Sequence, residues 1–148
     1  MRHALDTALV DGTDSHVSAV VEFGPGTGRI TEQLHFSNLT LVETDRAFCE
    51  LLANRYPKAT VLNISAIDFL AEQKTPVSVI SSIPLLNNPH ASTIKTAVAN
   101  SYRTGIIQKL VTYSYGSKSP FAECGFVHET RFKQVLRNLP PANIWVYA

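Results

Sequence analysis

The chain has 148 residues, 45% of them hydrophobic, and its 13 Lys and Arg against 12 Asp and Glu leave a formal charge of +1. That suffices for one globular domain, residues 1–148, burying about 68–70% of its unfolded surface. It excludes a bulk field that would draw in nucleic acid or an anionic membrane. Cys49 and Cys124 lack CxxC or metal-finger spacing and read as reduced packing thiols. No apolar run approaches the roughly 20 residues that span a bilayer, so the expectation is a cytoplasmic protein, at most peripheral at the inner membrane surface.

In chain order, a short opening segment, Arg2 to Leu9, has the composition of one helix. The apolar run Ala19 to Phe23 predicts a first strand, and Ile30 and Leu34 give helical spacing to Thr27 to His35. A second strand is expected at Thr40 to Glu43. Asp45 then caps a helix whose Phe48, Leu51, Leu52 and Tyr56 share a face until Pro57 stops it. Ala59 to Leu62 predicts a short third strand, Ala66 to Ala71 a brief helix, and Val77 to Ser81 a buried central strand. "NNPHASTIKTAVANSYRTG" is the best-punctuated helix, with Asn88 as cap, Pro89 at the first helical position and Gly105 past the end. A fifth strand is expected at Ile106 to Ser114. Phe126 to Asn138 and Ile144 to Tyr147, separated by "LPPA", then predict an antiparallel pair. The fold class that follows is α/β: an open, mostly parallel, doubly wound (Rossmann-like) sheet ending in an antiparallel pair of strands. Ligands of such sheets sit at the carboxyl ends of the strands.

"EFGPGTG", residues 22–28, lies at the first of those ends. Three glycines there ask what must approach the backbone so closely that a Cβ is not tolerated. A P-loop is excluded because no lysine follows the last glycine. A dinucleotide fingerprint needs a third glycine where Arg29 stands. The observed GxGxG suits a cofactor without a pyrophosphate, its amino-acid part against the turn and its ribose reaching the neighbouring strand. Glu43, nineteen residues after Gly24 at the end of the second strand, is placed to take both ribose hydroxyls. The segment "NISAIDF" offers Ile64, Ser65, the Ala66 backbone and Ile67 to a base. The plainer alternative is a tight connection beside a surface acid.

"VVEFGPGTGRITEQL", "LVETDRAF", "NISAIDF" and "VISSIPLLNNP" together resemble successive motifs of class I S-adenosylmethionine-dependent methyltransferases. Within that group they look most like bacterial phospholipid N-methyltransferases, and more distantly like ribosomal RNA adenine dimethylases. The closing "LRNLPPANIWVY" resembles the tail of the lipid enzymes. The resemblance implies S-adenosyl-L-methionine as cofactor. Gly24, Gly26 and Gly28 would admit its methionine moiety, Glu22 would anchor the turn or the amino group, and Glu43 would bind the ribose. Ser65 stands where many relatives carry the aspartate that accepts from the adenine amino group, and Asp68 lies three residues on.

In "SSIPLL" the resemblance implies the methyl-acceptor site, with Ser82 and Pro84 in contact with the target. Ser82 replaces the usual amide and Leu85 the aromatic residue that stacks on a flipped base. A stacked adenine loses its platform, whereas a small aliphatic amine such as the phosphatidylethanolamine head group is still oriented by a hydroxyl and backbone oxygens. The implied reaction is methyl transfer to a neutral nitrogen, in which positioning carries most of the work. Tyr113 and Tyr115, at the end of the fifth strand, could hold a cationic head group by their ring faces, Tyr115 being the one that matches the family's tyrosine before glycine. No general base is identifiable: His90 reads as a surface residue at a helix start. His3, His16, His35 and His128 lack ligand spacing, so no metal is expected. The related lipid enzymes begin with a longer amphipathic region, and about sixteen residues precede the first strand here. The partner expected is therefore a small amine or phospholipid head group, with a weak interfacial turn at Arg2, His3, Leu5 and Leu9. The alternatives are a cofactor-binding remnant without catalysis and a nucleic-acid adenine N-methyltransferase.

Overall fold

The computed structural model describes residues 19–115, 117–135 and 142–148. The opening segment and the "LRNLPP" of the tail lie outside the described residues. Seven strands, β1 (Ala19–Phe23), β2 (Leu39–Val42), β3 (Thr60–Leu62), β4 (Val77–Ser81), β5 (Ile107–Ser114), β6 (Glu129–Val135) and β7 (Ala142–Tyr147), form one sheet in the order β3-β2-β1-β4-β5-β7-β6. The first five positions are parallel, and β7 runs antiparallel to both β5 and β6. The chain first builds outward from β1 to β3, then returns to add β4 on the other side. The switch point therefore falls between β1 and β4, where the ends of adjacent strands diverge and leave a crevice. Register pairs Phe23 with both Val42 and Ser81, and Val42 with Leu62, so β1 to β4 finish level at that crevice, while β5 runs past Thr112, the partner of Ser81, to Ser114.

Both faces of the sheet are covered, which explains why Val77–Ser81 is buried throughout without polar alternation. On one face Val21, Phe23, Val79 and Leu110 pack against Phe69 and Leu70 of α2 (Ala66–Glu72) and Ile94 and Val98 of α3 (Ala91–Arg103). On the other, Val20, Leu41, Ile80 and Val111 meet Leu52 of α1 (Arg46–Arg55) and Ile30 and Leu34. Asp45 caps α1 as expected, accepting from the N–H groups of Ala47 and Phe48 at 2.8 and 3.2 Å.

Two local expectations shift. The helix expected over Thr27 to His35 is only a 3-10 turn, Thr31–Gln33. Gly28 has φ +81°, outside any right-handed helix, and Leu34 is already extended, so the residues between hold a single turn. Helix α3 starts at Ala91 rather than at Pro89, with His90 in the cap position. Asn88 closes the preceding turn, its side-chain oxygen accepting from the His90 N–H at 2.8 Å. Near the other end of the sheet, the buried Tyr147 hydroxyl shares a 2.8 Å hydrogen bond with Ser119 and accepts from the Phe121 N–H at 3.3 Å. Burial pushes that phenol up to about 12.

Candidate active site

Each strand at the crevice hands its ladder on by one residue. Gly24 N–H donates to Val42, Glu43 N–H to Leu62 and Ser82 N–H to Phe23, at 2.9, 3.0 and 2.8 Å. The three residues after β1, β2 and β4 thus have fixed backbones, the condition for a site held to a fraction of an ångström.

The glycines of the turn divide by what surrounds them. All three have positive φ. A Cβ on Gly24 would lie 2.8 Å from Ile83 Cγ1, and one on Gly28 would lie 2.8 Å from the Tyr56 ring. These two are required by the protein's own packing. A Cβ on Gly26 meets nothing within 4 Å, so its neighbourhood is open space. Gly26 is also tied to the second strand: its N–H donates to Glu43 Oε2 at 2.9 Å, while Asp45 N–H donates to Oε1 at 3.0 Å. Oε1 also accepts from Thr44 Oγ1 at 3.4 Å, so Oε2 is the oxygen that keeps a lone-pair direction for another donor. The ribose role expected of Glu43 is geometrically open.

Beside this carboxylate lies a cavity of about 300 Å³. Gly24, Val42, Glu43 and Thr44 form one wall, Ile64, Ser65, Ala66 and Ile67 a second, and Ile83, Pro84, Asn88, His90 and Ile94 the rest. Its size is at the lower end of the roughly 300–1,000 Å³ usual for small-molecule sites. Isoleucine side chains give it an apolar slot. The polar edge comes from the start of α2, where the Ala66 and Ile67 N–H groups belong to a first turn without intrahelical acceptors. Ser65 and Asp68 are engaged with each other: Ser65 Oγ accepts from Asp68 N–H at 3.0 Å and donates to its carboxylate at 2.7 Å. An adenine-like base could therefore be read by backbone at Ala66, whereas Ser65 serves first as a helix cap. These features fit an adenosyl cofactor: a slot, a carboxylate with spare acceptor capacity, and a bare turn at Gly26.

The other expected residues stand apart from the cavity wall. Glu22 is fully buried beneath the turn. Its Oε2 accepts from Thr31 Oγ1 at 2.7 Å and its Oε1 from Ser82 Oγ at 2.8 Å. Burial, opposed by those two hydrogen bonds and helped by the Glu43 charge, raises its carboxyl from 4.5 to about 7. Ser82 is half-buried at the end of β4. Tyr115 is 59% exposed, its ring 6.1 Å edge-on from that of Tyr113, whose hydroxyl burial also pushes up. The structure thus brings together Gly24, Glu43, Ser65, Ala66 and Pro84 in one cavity, joins Glu22 to Ser82 beneath it, and leaves Tyr115 at the surface. Sequence reasoning missed Ile83, Thr44 and Asn88 and set His90 aside. Only Asn88 and His90 carried a local signal, being at the start of α3. The Ile83 contact with Gly24 spans 59 residues and has none.

No family model matches the chain. The fold nevertheless has solved counterparts. N-methyltransferase NodS from Bradyrhizobium japonicum WM9 superposes with a TM-score of 0.68 at 14% identity, over 98% of this chain and 91% of that one. The fold is that of the class I methyltransferases. A putative methyltransferase, yhhF, from Escherichia coli gives 0.63 at 18% identity, over 99% and 84% of the two chains. In sequence, ribosomal RNA small subunit methyltransferase A of Chlorobium chlorochromatii (strain CaD3) is 34% identical over 84 residues, 53% of this chain. That match covers 32% of the relative, so the chain spans about a third of its length. Among the described residues no helix is long and apolar enough to cross a membrane.

Proposed function

We propose that the chain is an S-adenosylmethionine-dependent methyltransferase whose acceptor is an amine nitrogen, with the phosphatidylethanolamine head group as substrate. The observation that carries this reading is Glu43: a carboxylate in a cavity wall, braced by the Gly26 and Asp45 N–H groups, with acceptor capacity left on Oε2 for a sugar hydroxyl. Bound there, S-adenosylmethionine supplies a methyl group activated by a sulfonium. Glu43 would hold the ribose, the start of α2 with Ile64 and Ile67 the base, and the open side of Gly26 the amino-acid part. Ser82 and Pro84, next to Ile83 in the wall, would orient the acceptor nitrogen, and Tyr115 its cationic surroundings.

Titration calorimetry with S-adenosylhomocysteine and transfer of radiolabelled methyl groups into phosphatidylethanolamine vesicles test the two halves. Binding with label in the lipid fraction is expected; absence of binding refutes the cofactor assignment, and binding without transfer to any amine leaves the cofactor-binding remnant. A second reading, nucleic-acid adenine methylation, is favoured by the ribosomal RNA methyltransferase similarity. Against it stand the +1 charge and Leu85 in place of a stacking aromatic. Salt-dependent RNA binding would restore it.

A further inference from the structure

A primary amine acceptor reaches the site largely as an ammonium, since its ordinary pKa is near 10, and an ammonium has no lone pair to offer. Some group must take a proton before nitrogen can be methylated. The cavity wall supplies no carboxylate beside the acceptor segment: Glu43 is engaged with two backbone donors on the far side. Beneath that segment, however, Ser82 Oγ donates to Glu22 Oε1 at 2.8 Å, across 60 residues of chain. Its own oxygen keeps acceptor capacity on the remaining side. Ser82 is half-buried and fixed through its N–H to Phe23, while Glu22 is sealed from solvent.

Resting on the amine reading above, we infer that Ser82 and Glu22 form a proton relay that deprotonates the acceptor ammonium. The ammonium N–H bond breaks and its proton passes to Ser82 Oγ. The hydroxyl proton already directed at Glu22 moves to Oε1. A neutral amine with a free lone pair and a neutral glutamic acid result, so charge and atoms balance. Ser82 is the group that touches substrate; Glu22 is a positioning residue acting through it. The hydrogen bond makes this directional, because a serine donating to a carboxylate must present its oxygen, not its proton, to the acceptor. A carboxyl raised to about 7 is matched to this task near neutral pH. Glu22 is faced by Thr31 and Ser82, by the like charge of Glu43, and by the Tyr56 and Tyr113 phenols, which its own charge raises; no cation enters its balance.

The test begins without turnover. Carbon-13 titration of glutamate carboxyls in the ligand-free protein should show a midpoint near 7 that disappears in Glu22→Gln. In Ser82→Ala that midpoint should move upward, since a donor to the carboxylate is lost. An unmoved midpoint overturns the coupling. With phosphatidylethanolamine vesicles, kcat of the unaltered protein should rise about tenfold per pH unit below that midpoint and level off above it. Ser82→Ala should lower kcat about 100-fold with S-adenosylhomocysteine affinity kept within about twofold, and Ser82→Thr should restore most of the rate. If Glu22→Gln keeps the same pH limb, or Ser82→Ala keeps the full rate, the relay is wrong while the amine reading stands. If the unaltered protein binds S-adenosylhomocysteine yet methylates no amine, both fall.

Discussion

The two flanks of the crevice are built differently. On the β1–β2–β3 side the polar side chains at the strand ends are already paired: Glu43 with Gly26 and Asp45, Ser65 with Asp68, Asn63 Nδ2 donating to the Glu43 and Thr44 carbonyls at 3.0 and 2.9 Å. On the β4–β5 side the elements end in exposed surface, with Leu86 87% and Tyr115 59% accessible. A flank with its hydrogen bonds already made can bind one fixed shape at little ordering cost. The other is left to be completed by whatever it binds. Rigidity on one side and openness on the other agree with the proposed reading, in which one cofactor is held on the closed flank and the acceptor meets the open one.

That contrast can be broken at several points, the largest first. Glu43→Ala removes the bracing carboxylate and should weaken S-adenosylhomocysteine binding about 1,000-fold by calorimetry, through the lost charge-assisted bond to the sugar together with release of the Gly26 and Asp45 N–H groups. Next in size is the cost of Glu22. Its carboxyl titrates near 7 in the folded chain and at 4.5 in the unfolded one, so the folded state holds the extra proton between those values. Stability is therefore greatest below about pH 4.5 as far as this group is concerned and declines as pH rises towards 7, by about 3 kcal/mol at most. Denaturant midpoints should show the decline in the unaltered chain and lose it in Glu22→Gln.

The glycines sharpen the comparison further. Gly24→Ala drives a Cβ into Ile83 and should cost about 2 kcal/mol of stability. Gly26→Val adds bulk to open space, at a backbone cost of about 1–2 kcal/mol, yet should abolish cofactor binding. Equal loss of binding in both, with equal stability, would mean that packing and ligand do not divide the turn. The smallest effect belongs to the open flank. Tyr115→Ala should leave stability within about 0.5 kcal/mol and raise the acceptor KM only about threefold, the worth of an exposed cation–π contact.

Much of this was legible in the chain. β1, β4 and β5 announce themselves as apolar runs between turn residues, and Asp45 and Gly105 punctuate their helices where expected. Gly24 and Glu43 both line the cavity, because spacing along a βαβ unit fixes which strand ends meet. What failed to show was long-range. Ile30 and Leu34 have helical spacing, but Gly28 sits at φ +81° with its carbonyl accepting from the Tyr56 hydroxyl, 28 residues on, and only a turn forms. The Ser82 hydroxyl looked free to orient a substrate; its bond to Glu22 exists only once β4 lies beside β1. Local pattern records what neighbours in sequence do, and the acceptor flank is made by residues that are neighbours only in space.

The strand order β5-β7-β6 carries a kinetic corollary. β6 touches the rest of the sheet only through β7, although it precedes β7 in the chain. Both belong to one hairpin, whose closure is a microsecond event, whereas the parallel strands must wait for long crossovers to be brought together. The hairpin is therefore the unit of the sheet that can close locally, and Tyr147, reaching out of it to Ser119 and the Phe121 N–H, ties it to the connection that follows β5.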